Sequence, residues 1–184
     1  MNRKTNFKLI QQPCVHLHTL SIELEDGDEL LLLVLLIPNI RCLHIVLGNT
    51  PDFDLLSWSQ TLLPHLVEFH LYAECTLYWS MDDLITLLRI MPFVQRLVLH
   101  LSTTDKRLLD GKQIKVALTT ANILYLDSFS YGVEYLGLES RFDYNFVINL
   151  QKTWLPQLVA YTFDTEFHIL NLHTIPCVFR KFWI

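Results

Sequence analysis

Four times along this chain a proline, one further residue and then apolar residues spaced Φ-x-x-Φ-x-Φ appear in the same order. The four are Pro38-Asn39-Ile40-Arg41-Cys42-Leu43-His44-Ile45, Pro64-His65-Leu66-Val67-Glu68-Phe69-His70-Leu71, Pro92-Phe93-Val94-Gln95-Arg96-Leu97-Val98-Leu99 and Pro156-Gln157-Leu158-Val159-Ala160-Tyr161-Thr162-Phe163. The prolines stand 26, 28 and 64 residues apart, the last interval being two periods of 32. A phrase recurring at such a period marks an array of stacked units, each one supersecondary element long. Without the proline, the same skeleton recurs at Leu124, Leu126, Phe129 and Tyr131, and again at Leu17, Leu20, Ile22 and Leu24. About six units result.

Each unit combines two rhythms. The Φ-x-Φ tail alternates with period two, as a half-buried strand does: Leu20, Ile22 and Leu24 face one way, Ser21 and Glu23 the other. The stretches before the strands, residues 28–37, 53–63, 81–91, 112–121 and 143–155, predict helices. In the third, Leu84, Leu87, Leu88 and Met91 recur at three- and four-residue steps behind Asp82 and Asp83, whose charge suits a helix N-terminus. Proline then stops the helix. Units of this size cannot bury their apolar faces alone, so neighbours must share one elongated core.

The Leu-Pro-x-Leu-x-x-Φ-x-Φ phrase, as in Leu63-Pro64-His65-Leu66 and Leu155-Pro156-Gln157-Leu158, resembles the long, irregular leucine-rich repeats that follow the F-box in F-box/leucine-rich-repeat proteins, over residues 14–165. The resemblance implies an α/β solenoid with a horseshoe-like arc of about six units, parallel strands on the concave face and helices on the convex face. It implies a non-enzymatic protein–protein interaction module, the substrate-recognition repeats of an F-box-type ubiquitin-ligase receptor. The alternative is a stand-alone structural or inhibitory repeat protein similar to ribonuclease inhibitors. The asparagine ladder of regular leucine-rich repeats is missing after these strands, and no F-box precedes the first repeat. An irregular solenoid carrying the recognition half is therefore expected, with a ligase adaptor engaged through another segment. Residues 1–13 read as an N-terminal extension and 14–184 as the repeat domain. Residues 108–111 and the ending Phe179-Arg180-Lys181-Phe182-Trp183-Ile184 also look like features of divergent F-box-like families. That ending reads as an aromatic cap over the last repeat, or as the start of a further one.

Composition narrows the function classes. Apolar residues make up 51% of the chain and charged residues 18%, enough for a core. The apolar run 30–37 is too short to span a bilayer and predicts a buried helix. No apolar stretch follows the basic N-terminus as a signal peptide would require, so a cytoplasmic or nuclear setting is expected. Cys14, Cys42, Cys75 and Cys177 lie far apart, which favours reduced, buried thiols over zinc knuckles or a disulfide framework. A net charge of −5 with only small basic clusters argues against nucleic acid. Nucleotide-loop, nucleophile-elbow and zinc-protease motifs are absent, so neither catalysis nor a cofactor is expected. The acidic run Glu23 to Glu29 lacks a calcium-loop register and reads as a connecting loop, as does 105–111.

Aligning the strands places Ser21, His44, His70, Val98, Ser130 and Thr162 in one row of the concave face. Glu23, Val46, Tyr72, His100, Gly132 and Asp164 form the next. His44 and His70 then sit on adjacent strands about 4.8 Å apart. The candidate partner-binding residues are Glu23, His44, His70, Tyr72, His100 and Asp164. They form either a contact patch for a protein or a row of ordinary solvated strand residues. A metal held by His44, His70 and His100 is geometrically open, but the row offers no carboxylate or cysteine at fixed spacing, and none is expected.

Overall fold

The computed structural model describes residues 12–25, 27–48, 62–73, 78–137, 144–155, 157–164 and 169–175. Its strands are β1 (Thr19–Leu24), β2 (Cys42–Leu47), β3 (Glu68–Ala73), β4 (Arg96–Thr103), β5 (Ser128–Tyr135), β6 (Val159–Asp164) and β7 (Ile169–Thr174). Its helices are α1 (Gly27–Leu36), α2 (Met81–Arg89), α3 (Gly111–Thr120) and α4 (Tyr144–Thr153). All seven strands form one sheet in the order β1-β2-β3-β4-β5-β7-β6, parallel from β1 to β5. The architecture is α/β with a mostly parallel, open sheet. No helix among the described residues is long and apolar enough to cross a membrane.

One face of the sheet is apolar and buried. Leu43, Ile45 and Leu47, then Phe69, Leu71 and Ala73, then Leu97, Leu99 and Leu101, then Phe129, Tyr131 and Val133 point into a single core with the inner stripes of the helices. Helix α2 packs beside α3, and α3 beside α4. The run 30–37 is helical as far as Leu36, but only one stripe is buried: Leu30, Leu33 and Val34, with Ile37 just beyond the helix, face the core while Leu32 and Leu35 are exposed. A capping box opens α2, in which Asp83 N–H donates to Ser80 Oγ (3.2 Å) and Ser80 N–H donates to the Asp83 carboxylate (2.9 Å).

The proline phrase has a more specific geometry than a helix stop. Ile40 N–H donates to Ile37 O (3.1 Å), Leu66 N–H to Leu63 O (3.2 Å) and Val94 N–H to Met91 O (3.2 Å), so each proline occupies the second position of a β-turn, where its fixed φ suits it. The unit without proline ends differently. Asn122 adopts φ 62°, with Asn122 N–H on Thr119 O (3.0 Å) and Ile123 N–H on Leu118 O (3.0 Å), the paired bonds of a Schellman motif. A second regularity joins the units. Two consecutive amides at each strand entry share one carbonyl of the preceding unit: Arg41 and Cys42 on His18 O, Val67 and Glu68 on Arg41 O, Gln95 and Arg96 on Val67 O, Asp127 and Ser128 on Gln95 O.

Four expectations are corrected. The sixth unit's strand, β6, does not lie beside β5: β7 is inserted between them, antiparallel to both. The phrase slips there, since the turn bond runs from Gln157 N–H to Trp154 O (2.8 Å), one residue earlier relative to the proline. Gln157 consequently takes the buried place and Leu158 is exposed. Residues 105–111 are not a plain connecting loop. A 3-10 turn (Lys106–Leu109) buries Leu108 and Leu109 completely and runs into α3. The thiols expected to be buried are not: Cys42, the first residue of β2, is half-buried and Cys14, ahead of β1, is exposed; both are free thiols. The expected helix 53–63 lies outside the described residues but for its last two, as do Cys75, Cys177, residues 1–11 and the C-terminal aromatic cluster.

Candidate functional site

Because side chains alternate along a strand, the parallel register lines up three rows on the open face of the sheet. The row of Ser21, His44, His70, Val98 and Ser130 is in register, as is that of Glu23, Val46, Tyr72, His100 and Gly132. Their expected sixth members fail, because β7 brings His173 beside Gly132 and Asn171 beside Glu134. A third row, one alternate position earlier, holds Cys42, Glu68 and Arg96.

Glu68 organises the first part of this face. Its Oε1 lies 3.3 Å from His44 Nε2 and 3.1 Å from His70 Nε2. Its Oε2 accepts from Arg96 Nε (2.8 Å) and, very closely, from Arg96 Nη2. The two imidazoles stack with centroids 4.0 Å apart and planes 5° from parallel. The Arg96 guanidinium holds the Glu68 carboxyl below the usual carboxylate range, and the hydrogen bond from His44 adds to this against an opposing effect of burial. Burial, and then the neighbouring His44, push the His70 imidazole below its ordinary value, although Glu68 pulls the other way.

A second cluster adjoins it. Tyr72, 53% exposed, tilts against His100 with centroids 5.6 Å apart, and His100 lies 6.1 Å from His173. Gly132 makes that meeting possible: a Cβ there would sit 2.5 Å from His100 Nδ1 and 2.9 Å from His173 Nδ1. These residues border a cleft of about 200 Å3 that Ser102, Glu134 and Asn171 complete. Ser102 Oγ donates to Glu134 (3.1 Å) from a fully buried position. Burial, with His173 and His70 adding to it, lowers the His100 pKa.

The structure thus brings His44 together with His70, and Tyr72 with His100. Glu23 lies exposed on β1, separated from Tyr72 by Val46. Asp164 pairs with Ile169 at the far end of β6, away from the histidines. Sequence reading missed Glu68, Arg96, Glu134 and His173. The first two carried a usable signal, since a residue two positions before His70 or Val98 must share its face. His173 carried a weaker one, the alternation of Leu170, Leu172 and Thr174.

No protein-family profile matches the chain, and no curated protein or solved structure matches it.

Proposed function

We propose that the open face of the sheet is a docking surface for a protein partner, and that the chain is a non-enzymatic recognition module of the leucine-rich-repeat type. One observation carries this reading: Tyr72 stands half-exposed against His100, on the same face as the stacked pair His44 and His70, so apolar area and hydrogen-bonding tips are presented together. The shared-carbonyl step between units, repeated four times, supports a repeat-built scaffold. In its narrower form the proposal is that the strands hold the target of an F-box-type ubiquitin-ligase receptor in the cytoplasm or nucleus.

The test places a photo-crosslinking residue at Tyr72 and, as control, at Val116 on the exposed side of α3. A protein crosslinked from Tyr72 alone, and lost in H70A and H100A variants with unchanged melting, is the expected result. Equal capture from both positions overturns the docking face. Co-purification of a longer F-box-bearing chain with the ligase adaptor tests the narrower form separately.

A further inference from the structure

We propose that His44, Glu68 and His70 form a binding site for a zinc-class divalent transition metal, with Nε2 of each imidazole and Oε1 of the carboxylate as ligands. The three donor atoms lie within 4.8 Å of one another. Two neutral imidazoles and one carboxylate are a donor set suited to Zn2+, Co2+ or Cu2+ and ill-suited to Ca2+ or Mg2+, which prefer oxygen.

The spacing fits. Zinc bonds of about 2.1 Å in tetrahedral geometry place ligand atoms about 3.4 Å apart. The Nε2 to Oε1 separations are 3.3 Å and 3.1 Å, so two edges of the tetrahedron already exist. One adjustment is required. A metal must lie in the plane of each imidazole, and rings only 5° from parallel cannot share it. Rotation about χ2, a broad torsion in histidine, tilts the two planes to intersect beyond Glu68. Each imidazole then keeps its proton on Nδ1 and turns the Nε2 lone pair inward.

Arg96 acts as a positioning residue. By occupying Oε2 through both Nε and Nη2, it fixes the carboxylate rotamer and leaves Oε1, which faces the two imidazoles, to serve as a monodentate ligand. Its positive charge opposes the metal, which keeps the site weaker than a buried structural zinc centre. With His44 and His70 side chains 41% and 36% exposed, the fourth position opens to solvent and takes water, the arrangement of three protein ligands plus one exchangeable position. The site stands independently of the docking reading.

The experiment uses the full chain, stripped by chelator and titrated calorimetrically with Zn2+ under reducing conditions. One Zn2+ per chain is expected at this site, weakened at least about tenfold in H44A, H70A and E68Q, since even indirect partners of a metal are worth that much. H65A, at an exposed turn, and C42S should bind as wild type. Co2+ gives a check free of folding effects: the wild-type chain should develop visible bands without a near-ultraviolet thiolate band. Unchanged affinity in H44A and H70A, a thiolate band, or no binding in millimolar Zn2+ would each overturn the proposal.

Discussion

At the scale of the residue, three ionisable groups on the open face act on stability in one direction. Arg96 lowers the Glu68 pKa, so the folded chain holds that proton less tightly than the unfolded one. Its contribution is present above the ordinary value of 4.5 and is lost as pH falls through the folded value. His70 and His100 are lowered chiefly by burial. Below the ordinary value of 6.5 the unfolded chain takes up those protons first, and stability falls. Acidification from neutrality should therefore lower the denaturation midpoint in two steps, one beginning near the ordinary histidine pKa and one near that of glutamate. H100N should flatten the first step and E68Q the second. Stability that rises on acidification would contradict both signs. Gly132 belongs to the same scale. G132A must push the His100 and His173 rings apart, yet both are side chains that can swing. A folded protein with displaced histidine NMR signals is expected.

Helix ends decide the next scale. At Asn122 the chain adopts a left-handed conformation that costs most side chains ~1–2 kcal/mol. N122A should destabilise by about 1 kcal/mol and N122G should be neutral or stabilising, read as denaturant midpoints at constant m-value. Gly111 is less forgiving, because a Cβ there meets Thr153 O at 2.8 Å and Trp154 Cα at 2.9 Å, backbone on the facing element. G111A should cost more than ~2 kcal/mol, and its far-ultraviolet spectrum should show whether α3 has shifted. What was legible in the sequence lies at this scale too. The spacing of Leu84, Leu87 and Leu88 gave α2 its buried stripe, which Met91 continues just past the helix end, and Φ-x-Φ gave β2 to β5 both location and register. The turn at residues 37–40 was not legible, because proline signals a stop without saying which amide closes it. Nor was the Schellman end at Asn122, which looks the same as any polar residue until its φ is known. Glu68 escaped notice because the repeat phrase directs attention to its apolar anchors, and the residue ahead of Phe69 falls outside the two rows they frame.

Across the whole molecule, the parallel run must end somewhere, and it ends in a hairpin. The phrase from Pro156 onward has the same apolar skeleton as its predecessors, but alternation fixes which face a side chain takes and not which strand lies beside it. That ambiguity is why Asp164 was misplaced. In the structure β7 takes the position beside β5, and Thr174 Oγ1 accepts from Tyr131 N–H (2.8 Å), a side-chain tie across that junction. Trp154 Nε1 donates to Leu109 O and Tyr131 OH to Leu108 O, both 2.8 Å, so the 3-10 turn, β5 and the end of α4 are joined through buried polar contacts. With one continuous apolar core running from Leu24 to Leu172, no polar layer among the described residues divides the chain into independently folding parts. Leu71, 1% exposed on the third strand of the sheet, sits within that core. L71D would bury an unpaired charge and should cost more than ~4 kcal/mol. Because the core is undivided, the loss should be global. The far-ultraviolet circular dichroism signal, which averages all the helices and strands, and protection of the Trp154 indole N–H, which is held by Leu109 O, should disappear together. Retention of a cooperative transition around Trp154 in L71D would show instead that the two halves of the sheet fold as separate units.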